Sequence, residues 1–180
     1  MTTRTDHVDE RATTTGIEVR AIDPGVLSEL RALDDSGHAP RYIIDEKGGS
    51  PLRCCLRRSL PGESVALVSY APLRRWAREN AANPGPYDEV GPVFIHPEEC
   101  NGPGGSAYPA DFTGAHRVFR AYRSDGTILD GRLATGEELS DQDAAVRLLR
   151  EIFADPGVAL IHARAVEFGC FTFEVRRAGS

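Results

Sequence analysis

Residues 89–100, Glu-Val-Gly-Pro-Val-Phe-Ile-His-Pro-Glu-Glu-Cys, deliver chemically capable side chains directly after an apolar segment. Val93, Phe94 and Ile95 are core residue types; His96, Glu98, Glu99 and Cys100 follow, fenced by Pro92 and Pro97. His96 and Cys100 stand at the spacing H-x-x-x-C, which suits two ligands of one metal ion. Zinc takes four nitrogen or sulfur ligands at a structural centre, or three and a water at a catalytic one. Cys54, Cys55, His116, His162 and Cys170 are the residues available to complete such a set. No C-x-x-C pair and no H-E-x-x-H helix is present, so zinc is possible but not demanded.

Two other chemistries compete for the same region. Arg53, Arg57 and Arg58 flank Cys54 and Cys55, and nearby positive charge lowers a thiol pKa and favours the nucleophilic thiolate. The alternative is a cysteine that fills core, since free Cys is among the most buried residue types. The same arginines, with Arg117 and Arg120, are planar forks suited to clamping a carboxylate or phosphate. Against this stands a solvated face paired to the 27 acidic residues. Glu98 and Glu99 are adjacent, with nothing to make them face each other, so no acid–base pair follows. The Gly-rich 102–105 lacks the Lys and helix of a phosphate-cradling loop. Trp76 among Arg74, Arg75 and Arg78 is either a cation–π partner surface or a packed Trp covered by arginine stems.

The elements that must position these groups are legible in part. Ile17–Ile22 alternates as a half-buried strand. Asp23 and Pro24 then start a helix along Leu27, Leu30 and Leu33, stopped by Ser36-Gly37. Residues 41–44 read as a short strand, 51–58 as strand or loop, 65–70 as a central strand covered on both faces, and Pro72–Asn80 as one or two helical turns. Gly91–His96 reads as a second central strand, and the Gly- and Pro-rich 101–109 as a loop edging the site. Asp125-Gly126 between 116–122 and 127–134 is a hairpin signal. Ser140 with Asp143 is a capping box for a helix through Ala145, Leu148, Leu149 and Ile152, ended by Pro156-Gly157. Residues 158–163 and 171–175 form a final hairpin. Adjacent Cys54 and Cys55 should point apart in an extended chain.

The expected class is α+β: a single domain over 16–180, with a mainly antiparallel β-sheet of about seven or eight strands and two principal helices. Residues 1–15 carry almost nothing apolar and are expected to be a disordered leader. With 180 residues and 41% hydrophobic content, one domain with a real core is the natural size. Of the basic residues, 20 are Arg and only Lys47 is Lys, a usage that points to a GC-rich bacterial coding sequence. The net charge of −6, with no basic stripe, argues against nucleic acid and anionic membrane as partners. No apolar run is long enough to span a bilayer and the amino terminus has no signal core, so a cytoplasmic location is expected, with the four cysteines as free thiols or ligands rather than disulfides.

Arg53-Cys-Cys-Leu-Arg57, Gly91-Pro-Val-Phe-Ile-His96, Arg120-Ala-Tyr122 and Phe168-Gly-Cys-Phe171, in that order, resemble the bacterial domain-of-unknown-function family 1203 over roughly residues 16–177. The resemblance implies no activity, cofactor or catalytic residue. The family's first motif reads Pro-Cys-Arg-x-Cys-Leu, and here Leu52 stands at the first cysteine while Cys55 is kept, so a Cys-x-x-Cys role is not carried over. The leading expectation is a small-ligand-binding domain, the ligand an anion met by Arg53, Cys55, Arg57, His96 and Arg120. The alternative is a metal- or thiol-dependent enzyme using His96 with Cys55 or Cys100, the metal pair being His96 and Cys100. A third is a protein-interaction module at Trp76. A homodimer is compatible with the sequence but not indicated by it.

Overall fold

A computed structural model describes residues 16–179; the expected leader lies outside the described residues. These form eight strands and three α-helices: β1 (Ile17–Arg20), α1 (Pro24–Ala32), β2 (Arg41–Asp45), β3 (Glu63–Tyr70), α2 (Pro72–Glu79), β4 (Gly91–Ile95), β5 (Arg117–Tyr122), β6 (Ile128–Ala134), α3 (Gln142–Phe153), β7 (Leu160–Ala165) and β8 (Phe171–Arg177). The α+β expectation holds, but the strands divide into two antiparallel sheets rather than one. Five run in the order β1-β8-β7-β5-β6, three in the order β2-β3-β4.

The larger sheet closes on α3. Ala145, Leu148, Leu149 and Phe153 recur at helical spacing and meet Phe119, Phe173 and Val175 from the strands. The N-cap is Asp141, whose carboxylate accepts from Ala144 N at 2.8 Å; the Ser140–Asp143 capping box expected from the sequence is displaced by one residue. The β5–β6 hairpin turns where Asp125-Gly126 predicted, with Gly126 at φ +89°, a conformation glycine adopts without a Cβ clash.

The smaller sheet packs on α1 through Leu27 and Leu30. Asp23 caps that helix with Pro24 in its first turn, as expected, but the helix stops at Ala32 and Leu33 is 57% exposed instead of continuing the apolar face. Strand β3 is central. Strand β4 is at the sheet edge, not central, which suits Pro92: a residue without an N–H cannot serve a strand paired on both sides. A third helix, α2, buries Leu73, Trp76 and Ala77, while Arg75 holds Asp35 at 2.7 Å and Glu29 at 2.7 Å. Trp76 is therefore core rather than surface. Among the described residues no helix is long and apolar enough to cross a membrane.

Asp34 ties α1 to β3. Its buried carboxylate accepts from the backbone N–H groups of Ser36, His38 and Ser69 at 2.9–3.0 Å. Asp34→Ala strands these donors and is expected to lower unfolding free energy by roughly 2–3 kcal/mol, read by urea denaturation; a loss below 0.5 kcal/mol, the ordinary surface range, would remove the tie.

Candidate metal centre

The residues that could do chemistry are gathered by one turn lying against one strand. Leu56 N donates to Leu52 O and Leu52 N to Arg57 O, with Leu56 at φ +57°, so residues 52–57 fold back tightly. Residues 51–58 are thus a turn, not a strand, and Cys54 and Cys55 share one side, their sulfurs 4.0 Å apart. The expectation that they point apart fails because it presumed extended backbone. Arg53 N donates to Phe94 O and His96 N to Cys54 Sγ at 3.2 Å, which registers the turn beside β4. Beyond the strand, Arg31 from the last turn of α1 donates to the carbonyls of His96 and Glu98 and holds the segment that carries Cys100.

The sulfurs of Cys54, Cys55 and Cys100 and a ring nitrogen of His96 consequently all lie within 4.8 Å of one another. His96 Nδ1 is 3.1 Å from Cys54 Sγ and 3.8 Å from Cys55 Sγ. A tetrahedral ion with metal–sulfur bonds of about 2.3 Å requires sulfurs about 3.8 Å apart. The four groups stand close to that arrangement, and Cys3His is one of the ligand sets of structural zinc.

The opposite ring nitrogen completes the assembly. His96 Nε2 faces Glu63 Oε1 at 3.0 Å and Arg57 Nη2 at 2.9 Å, and Arg57 and Glu63 are themselves paired by two contacts of 2.5 and 2.9 Å. With Nε2–H donating to Glu63, Nδ1 presents a lone pair to an ion between the sulfurs, the carboxylate–histidine arrangement that orients metal ligands. With the proton on Nδ1, the ring donates to the Cys54 sulfur and Nε2 accepts from Arg57. The same partners would thus serve the site with or without an ion. Arg57 holds the Glu63 carboxyl down at about 2, so its charge persists in both.

Residues 49–177 match the family described as a protein of unknown function (DUF1203), 129 of the 180 residues. The chain belongs to that family. No curated protein and no solved structure matches. All four clustered ligands, with Arg57 and Glu63, fall inside the DUF1203 span.

Other candidates are placed elsewhere. Arg53 turns its guanidinium away, donating to the carbonyls of Phe171 and Pro51. Arg120 joins Arg164 on Glu89. His116 Nδ1 accepts from Gly136 N, and His162 is buried between Tyr122 and Phe171. Cys170 lines a different cleft. Glu98 and Glu99 rim a cleft of about 870 Å³ onto which Cys55, Arg57, Glu63, His96 and Cys100 open. Glu63 is the participant that sequence reasoning missed; its signal is opposite charge at Arg57 and Glu63 on either side of the Pro61-Gly62 turn.

The thiols do not titrate alike. Cys54, donating its S–H to Cys55 and buried, is raised; Cys55, accepting that bond and then favoured by the Arg57 N–H and the positive charge of Arg57, is lowered to about 6. In metal-free protein the alkylation rate of Cys55 by iodoacetamide should therefore rise with a midpoint near pH 6 rather than 9. Arg57→Gln removes a cation and should move that midpoint upward; an unchanged midpoint would show that Arg57 does not act on the thiol.

Proposed function

We propose that this is a metal-binding protein in which Cys54, Cys55, His96 and Cys100 hold one thiophilic divalent ion, with Zn²⁺ the best match to three sulfurs and an imidazole. The observation that carries the reading is the mutual approach of four ligand atoms to within 4.8 Å, from two separate stretches of chain, 54–55 and 96–100. Three closely placed thiols and a histidine are otherwise a poor use of a half-buried corner. Backing by Glu63 and Arg57 adds the outer contacts that ligating histidines use. Because the protein supplies all four positions, the ion acts first as a clamp on the 52–57 turn, the end of β4 and the loop beyond. Small anionic molecules would approach it through the adjoining cleft, past Arg57.

One observation favours a second reading, thiol-dependent catalysis. Cys55 is only half-buried, faces that cleft and is biased toward thiolate. Metal content separates the two, because a coordinated Cys55 is not a free nucleophile.

Protein purified without chelator should carry about one Zn²⁺ per chain by elemental analysis, and its Co²⁺ form should show thiolate-to-metal absorption. Cys100→Ser and His96→Ala should lose the ion, and Glu63→Gln should weaken binding roughly 10- to 100-fold. Stripping the ion should lower the melting midpoint. Failure of the apo protein to take up Zn²⁺ or Co²⁺ on reconstitution would sink the metal reading and leave the thiol one standing.

A further inference from the structure

A second cleft, of about 900 Å³, shares no lining residue with the one at Cys55. Two arginines are buried against it, Arg53 at 3% and Arg117 at 4% exposure, and Arg58 stands at its exposed rim. A buried guanidinium is costly unless a counter-charge accompanies it. Among the described residues, none of the three guanidinium groups has a carboxylate within ion-pair distance; the Asp111 carboxylate accepts from the Arg58 backbone N–H at 2.8 Å instead. Arg53 donates to the carbonyls of Phe171 and Pro51, Arg58 to those of Gly49 and Asp111, and Arg117 to that of His116. The Nε of Arg117 and the hydroxyl of buried Thr172, also on this cleft, have no hydrogen-bond partner.

The local charge is correspondingly unbalanced. Burial pushes Arg53 down to about 10, with Arg117 adding repulsion, and burial lowers Arg117, with Arg58 adding more. Both remain cationic at neutral pH. Glu167 is the one acid on the cleft and forms no ion pair among the described residues; its pull on Arg117 is the smallest influence there. Cys170 lines the same cleft, its thiol 3.7 Å from the Phe168 carbonyl. Phe112 lies under both Arg58 and Arg117, 5.7 and 5.5 Å from their guanidinium carbons, which steadies the planes without neutralising them. The remaining wall is apolar, with Leu67, Phe94 and Phe168; Phe168 is 85% exposed, an aromatic with little of its surface covered.

We propose that this cleft binds a small organic anion, an oxyanion head of carboxylate or phosphate type on an apolar body. The head sits under the joint charge of Arg53, Arg117 and Arg58 and takes the unpartnered Arg117 Nε–H and Thr172 hydroxyl, both closed to solvent in this conformation, once a small shift of the cleft wall opens them. The body lies along Phe94 and Leu67 and covers Phe168. Guanidinium forks suit either head geometry. The buried arginines without a carboxylate partner are in this view a cost to stability that function retains.

The test is thermal shift and calorimetry on the metal-replete protein with benzoate, phenyl phosphate, inorganic phosphate and neutral benzyl alcohol. Benzoate or phenyl phosphate should raise the melting midpoint, the stronger of the two identifying the head. Benzyl alcohol should not, and inorganic phosphate should bind more weakly than phenyl phosphate. Arg117→Met should abolish the shift while leaving the unliganded midpoint equal or higher, since it removes a buried, unbalanced charge; a purely structural arginine predicts a fall. Thr172→Val and Arg58→Gln should each weaken binding about tenfold. The proposal is overturned if no anionic probe binds, if Arg117→Met binds as the unmutated protein does, or if Thr172→Val and Arg58→Gln both leave affinity unchanged. Sharing no residue with the metal cluster, this site stands or falls independently of it.

Discussion

The backbone register between the 52–57 turn and the outer edge of β4 is the contact on which both clefts depend. Leu52 forms a parallel bridge to Phe94, Arg53 N donates to Phe94 O, and His96 N reaches Cys54 Sγ. An edge strand leaves unpaired backbone groups that must be covered, and a turn covers this edge where Pro92 rules out another regular strand. Once docked, the turn sends Arg53 to one side and Cys54 and Cys55 to the other. One short segment thereby founds a thiol-rich corner and a cationic cleft, and fully buried Leu52 anchors it in the core of the smaller sheet.

The two sites use charge in opposite ways. At the thiol–histidine cluster, Arg57 is neutralised by Glu63 and the pair serves to orient His96. At the second cleft, Arg53 and Arg117 are buried without such a partner. An Arg–carboxylate pair is a self-sufficient structural unit, whereas a buried guanidinium bonded only to carbonyls keeps its charge uncompensated. That contrast, more than the number of arginines, distinguishes the two sites.

The two sheets are joined at the same place. Phe171, the first residue of β8, leaves the larger sheet's core and packs with Tyr70, Val93 and Ile95 of the smaller one, and its carbonyl receives Arg53. The Arg53 side chain is thus a bolt between sheets as well as a wall of the cleft. Leu27, Leu30 and Arg31 on α1 play the matching part on the other side, the leucines in the core and the arginine on the carbonyls of His96 and Glu98.

Local pattern alone determined much of the frame: the Asp125-Gly126 hairpin, the Asp23–Pro24 helix start, the apolar spacing of α3, the final hairpin, and the α+β class. Each rests on interactions within a few residues, which is why the chain displays them. The same reading named Cys54, Cys55, His96 and Cys100 as capable groups. Whether they met could not be read, because their meeting depends on Leu56 taking a left-handed conformation and on the turn docking beside β4, contacts about forty residues apart in sequence. The division of strands between two sheets and the edge position of β4 are likewise long-range packing outcomes. So is the parting of Arg53 from Arg57. Four residues apart in a chain rich in arginine, they look alike, and only tertiary structure gives one a carboxylate and leaves the other buried without one.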